Sequence, residues 1–416
     1  MTSSEDGPLA GIRILDLTTF LSGPFGTQIL GDLGARVIKV EQPPYGDASR
    51  AIPPHYVDGD SVYYLSSNRN KLSIAIDLKL PEGLEVVTRL IQLSDVVIEN
   101  FRPGVCKRLG LDSDELREQN PSLIWASISG FGQTGVFRDR PAYDMIVQAM
   151  SGVMSLTGEP DGAPVRLGVP AGDLMGGAYA VMGILACLVR RSVSGKGETI
   201  DISMLDGQLA MLSYQGAYTL NGGINPGPQG SRHDSIPTYR SFSGSDGRQF
   251  VVTANTEKMW KNLCKVLQVE ELIEDERFND NATRLKNSAE LWRILERAVG
   301  RMSAEFWVEN LIQNDVPAAL VESVEEALQD ALMNDRQMVL ELESENGHRV
   351  RVIGNPIRLK DGSMSHNNYP PRLSEDSATI LRDFLNLESE DIEHLFSSGV
   401  VMPPENWRTS DNSFNA

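Results

Sequence analysis

Basic residues are scarce in this 416-residue chain: Lys and Arg number 38 against 57 Asp and Glu, a formal net charge of −19. That balance argues against nucleic acid or an anionic membrane as the main partner, because both require a positive footprint. A small polyanion stays open, since it needs only a local cluster of bases. Histidine is equally thin. His55, His233, His348, His366 and His394 are isolated, with no pair at helical or ligand spacing, and read as surface residues. Neither a zinc site nor a Ser-His-Asp arrangement is supported, and no metal is expected. The three cysteines (Cys106, Cys187, Cys264) are odd in number and far apart. They exclude a disulfide framework and fit a reduced, cytoplasmic protein. The N-terminal MTSSEDGPLAG has no basic n-region or apolar h-region, so no signal peptide is expected. The longest apolar run, residues 178–189, falls short of a bilayer span. Internal repeats and low-complexity tracts are absent.

What is present alternates. Residues 12–17 read as a buried strand, 20–24 as a loop, 25–33 as a helix ending at Gly34, and 37–41 as a second strand. That is a β-α-β unit of the kind that builds parallel sheets. The loop FLSGP opens onto a helix N-terminus, where such folds place ligands, but it lacks the glycine pattern of a dinucleotide fingerprint. Strands at 72–78, 95–101 and 122–132 and helices at 81–93 and 112–118 continue the alternation, so residues 11 to about 215 read as α/β throughout. Gly222, Gly223, Pro226, Gly227 and Gly230 then form a turn-rich linker. The expected organisation is a large domain over 1–221, a smaller α+β domain over 231–336, and a segment over 337–416 that returns to the large domain. Within the small domain, 236–254 reads as two strands and 318–321 as a third. Two further strands and helices at 377–387 and 389–396 follow.

The stretch from Gly168 to Asp206, GVPAGDLMGGAYAVMGILACLVRRSVSGKGETIDISMLD, organises the rest. Asp173 follows a Pro-Ala-Gly turn and opens a helix, a position favoured for an anion. The helix, 174–189, is apolar on almost every face and is expected to be buried. Gly176, Gly177 and Gly183 lower its propensity, which suggests close approach of another backbone or of a ligand. The plain alternative is an N-cap aspartate on a core helix. GFGQTG (130–135) offers backbone amides to a phosphate or is simply a tight turn. Arg69, Lys71, Lys79, Arg102, Lys107 and Arg108 lie near strand ends, a grouping that suits a nucleotide diphosphate.

These residues carry a resemblance over nearly the whole chain. PLAGIRILDLTTFLSGPFGTQILGDLGARVIKVE, NRNKLSIAIDLK with PEG, IENFRPG, RPAYDMIVQAMSG and GDLMGG…GKGETIDISMLD stand in order, and NYPPRLSEDSATILRDFLNLESEDIEHLFSSGVV closes the chain. Together they resemble the class III CoA-transferases, the family of formyl-CoA transferase and carnitine CoA-transferase.

The resemblance implies a large Rossmann-like domain, a smaller α+β domain, and a homodimer of interlocked rings. It implies an acyl-CoA thioester and a small carboxylic acid as substrates, with no permanently bound cofactor. The nucleophile falls at Asp173. The CoA-contacting positions fall at Leu21, Ser22, Gln42, Ile76, Asp77, Lys79, Asn100, Phe101, Arg102 and Arg108, with Tyr143 and Asp144 bordering the thioester. Gln42 stands where some relatives carry a base, and the glycine-only loop of the formyl-CoA branch is not evident.

The implied chemistry is attack of the Asp173 carboxylate on the thioester, giving an aspartyl–acyl anhydride and then an aspartyl-CoA thioester. Amides at the helix start beside Asp173 are expected to hold the oxyanion, and the glycines to leave room for substrate. The chain looks most similar to relatives that handle dicarboxylic acids, with Arg140, Arg166 and Arg232 as candidate partners for a second carboxylate. Two alternatives remain. One is an α-methylacyl-CoA racemase on the same fold, in which a histidine stands where this chain has Tyr143, a poor base near neutral pH. The other is one subunit of a heteromeric transferase.

Overall fold

The computed structural model describes residues 7–334, 336–360, 364 and 367–407. Two units divide the chain: Met1–Val153 with Arg166–Gly222 and Asn334–Ala416, and Met154–Val165 with Gly223–Met333. In the first unit the short β-branched runs pair as a six-stranded parallel sheet. Its strands are β1 (Arg13–Asp16), β2 (Arg36–Glu41), β3 (Lys71–Ala75), β4 (Val96–Glu99), β5 (Ile124–Ser129) and β6 (Thr199–Ser203). Their spatial order is β3-β2-β1-β4-β5-β6, with Ile14 opposite Val37 on one side and Val96 on the other.

Alternate residues serve opposite faces, as the pleat requires. Leu15, Ile74, Val97 and Trp125 pack with Val87 and Leu90 of one helix layer, and with Ile380, Leu385 and Phe396 of the C-terminal segment. Ile14, Val37, Ile98 and Ile124 pack with Leu30, Ala180 and Ile184 on the other face. A sheet covered on both faces explains why the strands read as continuous apolar runs.

The helices that matter to the site are α1 (Ser22–Asp32), α2 (Val62–Leu65), α3 (Pro81–Gln92), α4 (Asp144–Met150), α5 (Ala171–Ser194), α6 (Met204–Met211) and α7 (Ser213–Gly222). α1 begins at Ser22, three residues before the expected start. Pro24 falls in its first turn, where a missing N–H costs nothing. α5 is longer than expected and spans 24 residues. By length and composition alone it is long and apolar enough to cross a membrane, because the helix extends past the apolar run of 178–189 at both ends. One face of it is core: Ala180 and Ile184 are fully buried. The expectation of burial on every side fails, because Met182 and Val189 are exposed and Val193 is 90% exposed. Residues 204–222, where the sequence alone marked no element, form α6 and α7. Ser203 starts them by accepting the Asp206 amide as an N-cap.

Gly176 and Gly177 serve helix packing. A Cβ on Gly177 would sit 2.4 Å from the Ser22 carbonyl, and one on Gly26 of α1 would sit 3.0 Å from the Gly177 carbonyl. Two backbones meet there, so these glycines do not clear space for a substrate.

In the second unit, Ala318–Leu320, Gln249–Thr253 and Tyr239–Ser243 form an antiparallel sheet in that order. Trp260, Phe278, Leu291, Leu295 and Leu311 pack the helices onto it around Phe250. The C-terminal part of the first unit adds a hairpin of Val339–Glu343 and Arg349–Ile353 and two helices, Ser377–Asp383 and Ser389–Ser397. Val401 then bridges back to Ile76 at the end of β3.

Candidate active site

A parallel sheet of this order binds ligands outside the carboxyl ends of its strands, where the winding reverses between β1 and β4. A cavity of about 140 Å³ lies there. Leu17 and Thr19 after β1, Gln42 after β2, Ile76 and Lys79 after β3 and Phe101 after β4 line it, with Asp47 and Leu109. Four expected CoA contacts, Gln42, Ile76, Lys79 and Phe101, are thus brought to one place. Lys79, Arg102 and Arg108 are exposed beside it and form no ion pair among the described residues. Asp77 and Gln42 are tied together, with Gln42 Nε2 donating to Asp77 Oδ1 at 3.2 Å.

Three of the grouped bases do not join them. Arg69 is buried and pairs with Asp32 at 2.6 Å, and Lys71 is buried 3.1 Å from Asp16. Lys107 pairs with Asp112 at 2.6 Å. A buried charge needs a buried partner, so the first two belong to the scaffold.

Beneath the loop after β1 lies a network that sequence reasoning missed. Lys39 on β2 reaches Asp47 at 2.9 Å and donates to the Thr18 carbonyl at 2.7 Å. Burial works against the Asp16 carboxylate, but Lys71 and Lys39, with the hydroxyls of Thr18 and Thr27, pull it down to about 2. Burial also presses the Lys71 ammonium down to about 8 against the pull of Asp16. The available signal was a charge inside each apolar strand, Asp16 in IRILDL and Lys39 in VIKVE. Asn100, expected at CoA, spends its carboxamide on the protein. Oδ1 accepts from Thr19 N at 2.9 Å and Nδ2 donates to Thr19 O at 2.8 Å.

Asp173 occupies the third position of α5. The N-cap is Pro170, with no side-chain cap, so the N-cap alternative is removed. Gly176 and Gly177 follow it by three and four residues and therefore share its face. A Cβ on Gly176 would lie 3.0 Å from Ser22 Oγ. The Asp173 carboxyl therefore lies one helical turn before the contact with Ser22, near enough to Asp144 and to Tyr63 for their charges to act on one another. It makes no hydrogen bond or ion pair among the described residues. Burial, and then the neighbouring Asp144 carboxylate, push it up to about 7.

Asp144, at the start of α4, is buried. Its Oδ1 accepts from Gly172 N at 2.7 Å and Asp173 N at 3.4 Å, and its Oδ2 accepts from Gln148 Nε2 at 2.7 Å. Two first-turn amides of α5 are therefore occupied, which corrects the expectation that they hold an oxyanion. The amides of Ser22 and Gly23 at the start of α1 make no hydrogen bond among the described residues. Gln148 and Gln208, both fully buried, back this corner, and Ser151 Oγ donates to Gln208 Oε1 at 2.7 Å. Tyr143 is 68% exposed and meets Phe20 edge-to-face at 6.4 Å. Tyr63 on α2 is half-buried. Burial, then Asp173, Asp47 and Asp144, raise its phenol above the ordinary value.

Other expected residues lie elsewhere or serve locally. Arg140 stacks on Phe137 at 4.1 Å, and Arg166 donates to the Gly168 carbonyl at 3.3 Å. Arg232 stacks on Trp292 at 4.8 Å within the second unit. The GFGQTG segment is a turn whose Gln133 amide donates to Asp201 at 2.9 Å. His55, His348 and His394 are exposed, His233 is half-buried against Tyr239, and His366 lies outside the described residues. Among the described residues, no group of three or more His, Cys, Asp or Glu is placed to hold a metal ion.

The pattern of CoA-transferase family III matches residues 9–377. Succinyl-CoA:glutarate CoA-transferase of Mus musculus is 38% identical over 394 residues, 95% of this chain and 90% of that protein. Acetyl-CoA:oxalate CoA-transferase of Acetobacter aceti is 39% identical over 386 residues, 92% of this chain and 97% of its own length. Among solved structures, a CAIB/BAIF family protein from Brucella suis superposes with a TM-score of 0.82 at 36% identity, over 91% of this chain and 99% of that one. Sequence and fold agree along nine-tenths of the length, and the chain belongs to CoA-transferase family III.

Proposed function

We propose that this chain moves CoA between an acyl-CoA and a small dicarboxylic acid, with Asp173 as the nucleophile. The observation that carries this reading is the solitary Asp173 carboxyl, part-buried without a partner among the described residues and one helical turn from the contact of α5 with Ser22. A merely structural aspartate would be capped or paired. Relatives acting on glutarate and on oxalate support the substrate class.

Part of the CoA moiety enters the cavity at the β1/β4 crossover, and its diphosphate and 3′-phosphate lie outside it toward the exposed Lys79, Arg102 and Arg108. Leu21 and Ser22 border the thioester. An ionised Asp173 oxygen attacks the thioester carbonyl, the C–S bond breaks, and CoA leaves as the thiolate. The thiolate then attacks the aspartyl carbonyl of the anhydride, releasing the donor acid and leaving aspartyl-CoA. The acceptor carboxylate repeats these two steps in reverse. Each tetrahedral oxyanion is held by the amides of Ser22 and Gly23, the ones left open at the start of α1.

The working unit is a homodimer. The exposed apolar side chains of α5, with Leu209, Tyr214, Tyr218 and Leu220 on α6 and α7, form a face that a second copy would cover. Three free cysteines suit the cytoplasm. The test is to incubate the enzyme with succinyl-CoA and no acceptor, then add hydroxylamine. A hydroxamate on the peptide carrying Asp173 is expected, and Asp173→Ala should bind CoA yet transfer nothing. Transfer by the Ala variant would end the proposal. Light scattering at low micromolar concentration should give two chains; a fully active monomer would remove the dimer.

A further inference from the structure

Between the cavity and Asp173 runs a short segment, Thr18-Thr19-Phe20, whose backbone is held in an unusual way. Five consecutive polar groups, from the Thr18 amide to the Phe20 amide, are each taken by a side chain, from Asp16 at the end of β1, Lys39 on β2, Asn100 after β4 or Asp47 after β2. Asp16 Oδ1 accepts from Thr18 N at 2.9 Å, and Lys39 Nζ donates to Thr18 O at 2.7 Å. The carboxamide of Asn100 takes both groups of Thr19, at 2.9 and 2.8 Å. Asp47 Oδ1 accepts from Phe20 N at 3.1 Å. Loops on a protein surface usually leave such groups to water.

The holding is costly. Asp16, Lys39 and Asp47 are withdrawn from solvent to do it. Phe20 is left-handed, with φ of 63°, a region that a bulky residue seldom adopts. That conformation sets its ring edge-on to Tyr143, and the next residue, Asp144, binds the amides of Gly172 and Asp173. A continuous set of contacts therefore leads from the cavity wall at Thr19 to the first turn that carries Asp173.

We propose that Asn100 is a positioning residue for CoA transfer. By closing both hydrogen bonds on Thr19 at the β1/β4 crossover, it fixes the 18–20 segment as a rigid spacer between the CoA cavity and the attacking carboxylate. This assignment rests on the reading of Asp173 as the nucleophile. The role is one of distance. CoA is gripped in the cavity and Asp173 is fixed on α5, so the spacer between them decides whether the thioester carbon lies within reach of the carboxylate. Strain concentrated at Phe20 fits a geometry held for chemistry. The side chain of Asn100 is half-buried just past the carboxyl end of β4, so shortening it leaves the core strands intact.

The test compares wild type, Asn100→Ala and the near-isosteric Asn100→Asp as full-length proteins. Asp keeps an acceptor for Thr19 N but sets an anion against Thr19 O. Free-CoA affinity is measured by calorimetry, folding by circular dichroism, and kcat and KM with succinyl-CoA and glutarate. Both variants should bind CoA within about threefold of wild type while kcat falls by about 10- to 100-fold, the range a displacement of about 1 Å produces. A tenfold or larger loss of CoA affinity makes Asn100 a ligand contact and overturns the assignment. Unchanged kcat overturns it too, as does a loss of activity in both variants that merely tracks loss of folded protein. Wild type that forms no Asp173 adduct from succinyl-CoA refutes the nucleophile reading instead, so the two failures are distinguishable.

Discussion

Replacing Asp173 by Asn should abolish transfer and at the same time make the protein more stable above neutral pH. The carboxyl moves from an ordinary 3.8 to about 7 in the folded chain, through burial and then through Asp144. A folded state that holds the proton more tightly than the unfolded state is favoured while the proton is on. The stabilisation is present below about pH 4 and is lost progressively as pH rises through about 7. At 1.36 kcal/mol per pH unit the whole effect is about 4 kcal/mol. Part of the residue faces solvent, so about 1–3 kcal/mol is the expected remainder. Asn carries no proton to lose and keeps the shape. The variant and wild type should therefore melt together near pH 4 and diverge between pH 4 and 7. Above pH 7 they should stay a few degrees apart, with the variant higher, at about 2–4 °C or less per kcal/mol for a chain of this size. Scanning calorimetry at four pH values reads this directly, beside a transfer assay on the same samples. A variant that melts below wild type at pH 8, or a gap independent of pH, would refute the placement of Asp173 as an unpaired, desolvated carboxyl.

Three further outcomes follow from the same geometry. Because only the ionised carboxylate attacks, kcat/KM for the acyl-CoA should rise with pH through about 7, and Asp144→Asn, which removes the neighbouring charge, should move that limb to lower pH; a stopped-flow pH profile of both proteins checks it. Gly177→Ala places a methyl 2.4 Å from the Ser22 carbonyl, so α1 and α5 must separate, at a cost of about 1–3 kcal/mol; a lower melting temperature and lower kcat are expected, and wild-type values would show that the helices do not meet there. Tyr143 is exposed and edge-to-face with Phe20, and a phenol is a poor general base near neutral pH, so a 2-methylacyl-CoA in deuterated water should keep its α-hydrogen; rapid deuterium exchange would favour racemase chemistry.

The sequence by itself determined the sheet and the candidate nucleophile. Runs such as IRILDL and VIKVE fit buried parallel strands, and their alternation with amphipathic segments leaves few topologies. An acid after Pro-Ala-Gly, ahead of a glycine-spaced apolar helix, singled out Asp173 as either a cap or a reacting group, and the resemblance to the class III CoA-transferases chose the second. Those signals are local, written within a few residues of each other.

Only the tertiary structure decided which charges were free and which were spent. Arg69 and Lys79 look alike in sequence, yet one is buried against Asp32 and the other lines the cavity. Asn100 meets Thr19 across 81 residues, and Asp144 reaches the Gly172 amide across 28. Nothing in a single sequence pairs such positions, because a hydrogen bond depends on where the sheet brings two strand ends together. The glycines of α5 show the same division. Their presence announced a close approach, but only the packing of α1 identified a backbone as what approaches.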